Sequence, residues 1–257
     1  MLPAMRWGVG YFGVKDLFTI VNLMGGVLGI YFAALGNPVW AGYAILAGYF
    51  FGDALDGPVA RATHTGNRFG GEFDSAADHI GQGIAPAVVV FSAYRLGGHP
   101  TMGLLLMAAL ITTASIRQAR FNVAKFDLPL TYCGLPRTIS GFIALSFPNS
   151  VLFRQSGFGF QLGIVVVGLM AVLNLVPIPY MTHRGKRKMQ WWVKVLVLSF
   201  VLLPFGAFVW RRAYVFDIMF IYALAYALFG WLPILPAERK AFYAEYRRWA
   251  HQVATLP

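Results

Sequence analysis

The stretch "DALDGPVARATHTGNRFGGEFDSAAD" runs from Asp53 to Asp78 and carries four aspartates between segments rich in Phe, Val, Ile, Leu and Ala. Read as a helix end, Asp53, Asp56, Gly57, Ala60 and Arg61 share one face at about 100° per residue. After the polar connection "ATHTGNRFG", Gly70, Asp74 and Asp78 form an i,i+4 ridge on a second helix. Helices joined by so short a loop are antiparallel neighbours, so the two aspartate pairs face each other.

The surroundings make this costly. The chain has 257 residues, of which 58% are hydrophobic and only 12% charged. A soluble domain carries roughly 25% charged residues. Apolar runs of about 20 residues recur, which marks a helical integral membrane protein. An ionised Asp at the centre of a membrane helix costs about 2.5–3.5 kcal/mol, less near the interface, and like charges in one site raise one another's energy. A single Arg61 cannot neutralise four carboxylates. Mg²⁺ or Mn²⁺, which prefer carboxylate oxygen, can, and convergent carboxylates suit two such ions about 3.5–4 Å apart, as in phosphoryl-transfer chemistry. The plainer reading of an intramembrane Asp is a helix–helix hydrogen bond. Two pairs at helical spacing, with small residues and an arginine in register, go beyond it. Gly57, Ala60 and Gly70 leave room for a substrate, and Arg61 can fork onto a phosphate.

Working outward, spans are expected near 17–35, 39–60, 72–94, 101–123, 137–154, 159–179, 191–209 and 213–234, punctuated by "GNP", "GGHP", "FRQSGFG" and "THRGKRKMQ". Residues 1–16 read as an interfacial segment, 17–182 as a catalytic core of six helices, 183–235 as two additional spans and 236–257 as a cytoplasmic tail forming a surface helix. No cleavable signal peptide is expected. With a cytoplasmic N-terminus, only Arg95, Arg154, Arg211 and Arg212 of the 21 Lys and Arg fall on the opposite side, as the positive-inside bias requires. That orientation puts Asp53–Asp78 at the cytoplasmic face. The net charge of +11 is then explained by basic loops, with no nucleic-acid motif and no nucleic-acid partner. The single cysteine, Cys133, rules out an intrachain disulfide and reads as a small packed residue.

The spacing D-x2-D-G-x2-A-R-x8-G-x3-D-x3-D, met here by Asp53, Asp56, Gly57, Ala60, Arg61, Gly70, Asp74 and Asp78, resembles the signature of the CDP-alcohol phosphotransferases without departure. The resemblance implies that Asp53, Asp56, Asp74 and Asp78 hold two divalent cations, Mg²⁺ or Mn²⁺, and that Asp78 is the general base. It implies that Gly57, Ala60, Arg61, Asn67 and Gly70 line the CDP-lipid site, with Asp16, Thr19 and Asn22 from the first span facing the same pocket. The lipid is a CDP-diacylglycerol or an archaeal ether equivalent, and relatives are homodimers. "TIVNLMGGVLGI", "IRQARFNVAKF" and "YCGLPRTISG" resemble the phosphatidylserine synthase branch, which implies L-serine as acceptor and places Arg117, Arg120, Asn122, Lys125 and Arg137 in its pocket. Arg137 stands where many relatives of that branch have a smaller residue. The same arginines suit an inositol phosphate or glycerol phosphate, and choline is a further acceptor of this chemistry. A divalent-cation transporter is the reading of a different class. The clustering of the acids at one interface, Arg61 on their face and the lack of an inverted repeat argue against it.

Overall fold

In the first transmembrane helix expected from the sequence, α1 (Val14–Ala34), the usual polarity is inverted. In the computed structural model, which describes residues 12–63, 67–123, 131–181 and 191–255, α1 buries Lys15, Asp16, Thr19, Asn22, Gly25, Gly26 and Gly29. It exposes Leu17, Val21, Met24, Leu28 and Tyr31, a stripe at helical spacing. A water-soluble helix does the reverse; polar and small residues inward with apolar residues outward suit a lipid surround. Among the described residues, Val14–Ala34 and Pro100–Arg120 are the two helices long and apolar enough to cross a membrane.

The chain divides into two compact units, Met1–Ile111 and Thr112–Pro257. In the first, α2 (Pro38–Gly48) runs through a π-helical turn (Tyr49–Asp53) into α3 (Ala54–Thr63). Likewise α4 (Arg68–Asp78) runs through a second π-helical segment (His79–Ile84) into α5 (Ala85–Leu96). These two composite helices and α1 match the first three expected spans to within a few residues, and α6 (Pro100–Val123) matches the fourth. Gly36, at φ +76°, ends α1. Ser92 Oγ donates to Ala33 O at 2.7 Å and Arg95 Nη2 to Ala34 O at 3.0 Å, so Arg95 meets the negative end of α1.

Close backbone contact holds this unit together. A Cβ on Gly25 would lie 2.5 Å from the Cα of Gly48, and one on Gly26 would lie 2.8 Å from the Cα of Gly81. A Cβ on Gly52 would lie 2.4 Å from Asn22 N and 2.7 Å from Phe18 O. Asn22 thus packs against Gly52 of one π-turn and Gly81 of the other. We expect Gly52→Ala to push α1 outward at a cost of about 1–3 kcal/mol. It should lower the melting temperature of the detergent-solubilised protein, whereas Gly71→Ala, whose added Cβ meets nothing within 4 Å, should leave it unchanged. Equal melting temperatures for the two variants would refute this packing role.

In the second unit, the expected fifth span is interrupted: α7 (Arg137–Ser146) gives way to a 3₁₀ turn (Phe147–Asn149) containing Pro148, and α8 (Val151–Gln155) restarts from Ser150. Ser150 Oγ accepts from Phe153 N at 3.1 Å, and Asp217 accepts from Val151 N at 3.0 Å. α9 (Gly159–Leu175), α10 (Trp191–Trp210), α11 (Val215–Phe229) and α12 (Pro236–Thr255) follow; α12 is the helix expected of the tail. Phe142 meets Phe200 and Phe147 meets Phe220 at ring-centroid distances of 5.4 and 5.0 Å, so α10 and α11 pack directly on the α7 region. A short antiparallel pair, β1 (Thr131–Cys133) with β2 (Pro179–Met181), joins two connections, and Tyr180 Oη donates to Ala227 O at 2.8 Å.

Candidate metal and substrate site

Asp53 closes the first π-turn, Asp56 lies in the first turn of α3, and Asp74 and Asp78 lie on α4. Asp53, Asp56 and Asp74 each present a carboxylate oxygen within 4.8 Å of the others. Asp53 also lies within hydrogen-bonding reach of Asp78, and Asp56 of Asp74. The two pairs therefore face each other across α3 and α4, as the spacing requires. Oδ2 of Asp56 and Oδ1 of Asp74 are buried and find no hydrogen-bond partner among the described residues. Orphaned carboxylate oxygens at such short range need a bound proton or a cation between them, and an all-oxygen donor set fits a hard divalent ion.

Asp78 is held from behind. Its Oδ1 accepts from Asn22 Nδ2 at 2.8 Å and from Gln82 Nε2 at 2.9 Å, and the residue is only 7% exposed. Asn22 thus reaches the site through Asp78. Gln82 was not anticipated, although it continues the Gly70–Asp74–Asp78 ridge by one i,i+4 step. For Lys15 the sequence signal is only the cytoplasmic charge bias. Its Nζ pairs with Asp16 Oδ1 at 2.9 Å, while Asp16 Oδ2 accepts from Gly13 N at 2.7 Å. Both side chains are buried.

The other expected CDP-lipid residues lie in the same unit. Thr19 is fully buried and its Oγ1 has no hydrogen-bond partner among the described residues. Asn67 caps α4, its Oδ1 accepting from Gly70 N at 2.6 Å. Gly57 and Ala60 are half-buried and Arg61 is exposed. A Cβ on Gly57 would meet only Arg61 Nη1, at 3.5 Å, so the protein's own packing does not demand glycine there. Gly70 differs: the space beside it is filled by Lys15 Nζ and Asp16 Oδ1.

In the second unit, Arg117 is flanked by Arg120 and Arg137, and its Nε is buried with no hydrogen-bond partner among the described residues. Arg120 donates to Leu175 O at 2.8 Å and Asn174 O at 3.1 Å, stapling the end of α9. Arg137 Nη1 donates to Gln118 Oε1, and Gln118 Nε2 donates to Asn122 Oδ1 at 3.0 Å. Lys125 lies outside the described residues. Burial pushes the Cys133 thiol up, with Arg120 and Arg117 pulling the other way. A protonated thiol is a poor nucleophile.

A family model described as CDP-alcohol phosphatidyltransferase matches residues 13–176. The chain belongs to this family. CDP-alcohol phosphatidyltransferases are membrane-associated, in keeping with the inverted polarity of α1, and membership sets aside the transporter reading. Among curated relatives, the CDP-diacylglycerol–serine O-phosphatidyltransferase of Helicobacter pylori (strain ATCC 700392 / 26695) is 29% identical over 196 residues, covering 73% of this chain and 78% of that protein. A protein of the same name from Bacillus subtilis (strain 168) is 32% identical over 148 residues, or 56% of this chain and 81% of that protein. Another from Methanocaldococcus jannaschii (strain ATCC 43067 / DSM 2661 / JAL-1 / JCM 10045 / NBRC 100440) is 25% identical over 197 residues, or 74% and 85%. The family match spans α1 to α9, and so includes all four aspartates.

Proposed function

We propose that this protein transfers the phosphatidyl group of a CDP-linked lipid to the hydroxyl of L-serine, releasing CMP. The observation that carries the reaction class is the convergence of Asp53, Asp56, Asp74 and Asp78, with two orphaned oxygens, in a member of this family. The names of the relatives support serine as acceptor.

The serine oxygen attacks the β-phosphorus, the bond from that phosphorus to the CMP oxygen breaks, and the serine proton passes to Asp78. Asn22 and Gln82 fix the Asp78 carboxylate for that transfer. The four carboxylates would hold two divalent cations, Mg²⁺ or Mn²⁺, which supply charge neutralisation on the diphosphate and the departing CMP. Gly57, Ala60, Arg61, Asn67 and Gly70, with Asp16, Thr19 and Asn22, line the CDP-lipid side. Arg117, Arg120, Asn122, Lys125 and Arg137 serve the acceptor. Arg117 is the main anchor for the serine carboxylate, since its Nε is still uncommitted; Arg120 fixes the pocket wall through α9. About eight spans embed the chain in the cell membrane among its lipids, with residues 17–182 as the six-helix catalytic core, 183–235 as the two further spans and 236–257 as the tail. The site faces the cytoplasm and the protein is a homodimer.

Purified protein supplied with CDP-diacylglycerol and Mn²⁺ or Mg²⁺ is expected to release CMP when given L-serine, and not when given glycerol phosphate, inositol phosphate or choline. Release with one of those and not with serine would overturn the choice of acceptor. No release with any of them would overturn the transferase reading.

A further inference from the structure

The Gly70–Asp74–Asp78–Gln82 series, on α4 and the π-helical segment that continues it, carries a functional group at every step except the first, where the side chain is a hydrogen. That place is not empty. A Cβ on Gly70 would lie 2.4 Å from Lys15 Nζ and 2.5 Å from Lys15 Cε. The ammonium of Lys15 therefore sits where a side chain of residue 70 would be. Gly70 itself lies one i,i+4 step, about 6 Å along the axis, before Asp74, and the ammonium is near enough to Asp56 to act on its charge. In effect α1 donates a cation to a position that α4 leaves vacant.

This cation is unusual in its burial and in its hydrogen bonding. Lys15 is only 7% exposed and Asp16 is 0% exposed. Burying a lysine is expensive unless its charge is paired and its donors are used. Asp16 Oδ1 stands 2.9 Å from the ammonium as an ion pair, and Asp16 Oδ2 accepts from Gly13 N. An ammonium has three donors, and among the described residues Asp16 is the only hydrogen-bonded or ion-paired neighbour of Lys15. Uncommitted donors on a buried cation, beside carboxylates placed to hold cations of their own, call for an anionic ligand rich in acceptor oxygens. A diphosphate fits.

We propose that Lys15 is a further substrate-positioning residue of this site, held by Asp16 and admitted by Gly70, whose ammonium binds the diphosphate of the CDP-lipid. The proposal rests on the phosphatidyl-transfer reading for the identity of the diphosphate. It also assigns Asp16 a role through Lys15. A fixed positive charge beside Asp56 and Asp74 opposes the binding of metal cations there and favours the diphosphate, so removing it acts in opposite directions on the two.

The test uses the full chain in lipid nanodiscs, stripped of divalent cations. Mn²⁺ binding is followed by the electron paramagnetic resonance of free Mn²⁺, and KM for CDP-diacylglycerol by CMP release. Lys15→Met is expected to tighten Mn²⁺ binding by about threefold or more. It is expected to raise KM for CDP-diacylglycerol by about tenfold or more and to leave KM for serine within about twofold. Gly70→Ala, which displaces the ammonium without removing it, is expected to shift both quantities in the same directions by less. Weaker or unchanged Mn²⁺ binding in Lys15→Met, or an unchanged KM for CDP-diacylglycerol, overturns the proposal. Loss of Mn²⁺ binding in both variants makes Lys15 a prop of the fold and overturns it as well. If wild-type protein releases no CMP with any alcohol, the transfer reading fails by itself, while tighter Mn²⁺ binding by Lys15→Met still supports the placement of the charge.

Discussion

Asp78→Asn is expected to leave the protein folded and to cut CMP release by about a hundredfold to ten-thousandfold, the range that a positioned proton acceptor contributes. The hydrogen bonds at this residue explain why the loss should be chemical. Asn22 and Gln82 both donate to Oδ1 of Asp78. An asparagine can turn its own carbonyl oxygen to the same two donors and keep that contact. Its amide nitrogen then replaces the remaining carboxylate oxygen and can donate to Asp53, which lies within hydrogen-bonding reach of residue 78. The local packing survives, and what disappears is an oxygen able to take the acceptor's proton. The measurement pairs CMP release with a thermal melt of the same preparation. Turnover within about threefold of wild type would remove Asp78 from the role of base, and a collapsed melt would show that its role is structural.

The site was more legible in the sequence than the helices that carry it. Asp53, Asp56, Asp74 and Asp78 could be placed together because intervals of three and four follow the helical repeat, at the entry to α3 and within α4. The π-turns, Tyr49–Asp53 ending on the first aspartate and His79–Ile84 following the last, have no residue signature; what marks them is tertiary, the close approach of α1 at Gly52 and Gly81. Lys15 escaped notice for a related reason. Its charge was visible, but its partner Gly70 lies on another helix and is marked only by the absence of a side chain. Gln82 was within reach, since extending the aspartate ridge by one step finds it. The strand pair at Thr131–Cys133 and Pro179–Met181 was not, because three residues per strand carry no periodicity and one of them is Pro179. The interruption of the fifth span is signalled by Pro148, but the support that Asp217 gives to the restart at Val151 comes from 66 residues away in the chain. Arg120 shows the limit of charge as evidence. Its basic side chain at a helix end reads as a ligand or a membrane anchor, whereas its hydrogen bonds go to the end of α9.

Removing divalent cations with EDTA is expected to abolish CMP release, and adding back Mn²⁺ or Mg²⁺ to restore it. A second consequence follows that does not depend on turnover. Carboxylate oxygens of Asp53, Asp56 and Asp74 lie within 4.8 Å of one another, and two unit charges about 4 Å apart repel by roughly 4 kcal/mol at the effective dielectric of a protein surface. Without cations, bound protons and the ammonium of Lys15 must offset that repulsion, and Lys15 is already paired with Asp16. Cation binding therefore stabilises the fold with the logarithm of its concentration relative to Kd, by about 2.7 kcal/mol at a hundredfold excess over Kd. In a chain of this size each kcal/mol moves the melting temperature by roughly 2–4 °C, so the stripped protein should gain about 5–10 °C when Mn²⁺ is restored. Asp56→Asn, which removes one of the orphaned oxygens, should lose most of that gain, and Glu238→Gln on α12, an acid outside this cluster, should keep it. Full activity after chelation would refute the need for a metal. A thermal gain equally large in Asp56→Asn would place the stabilising cation somewhere other than between these carboxylates.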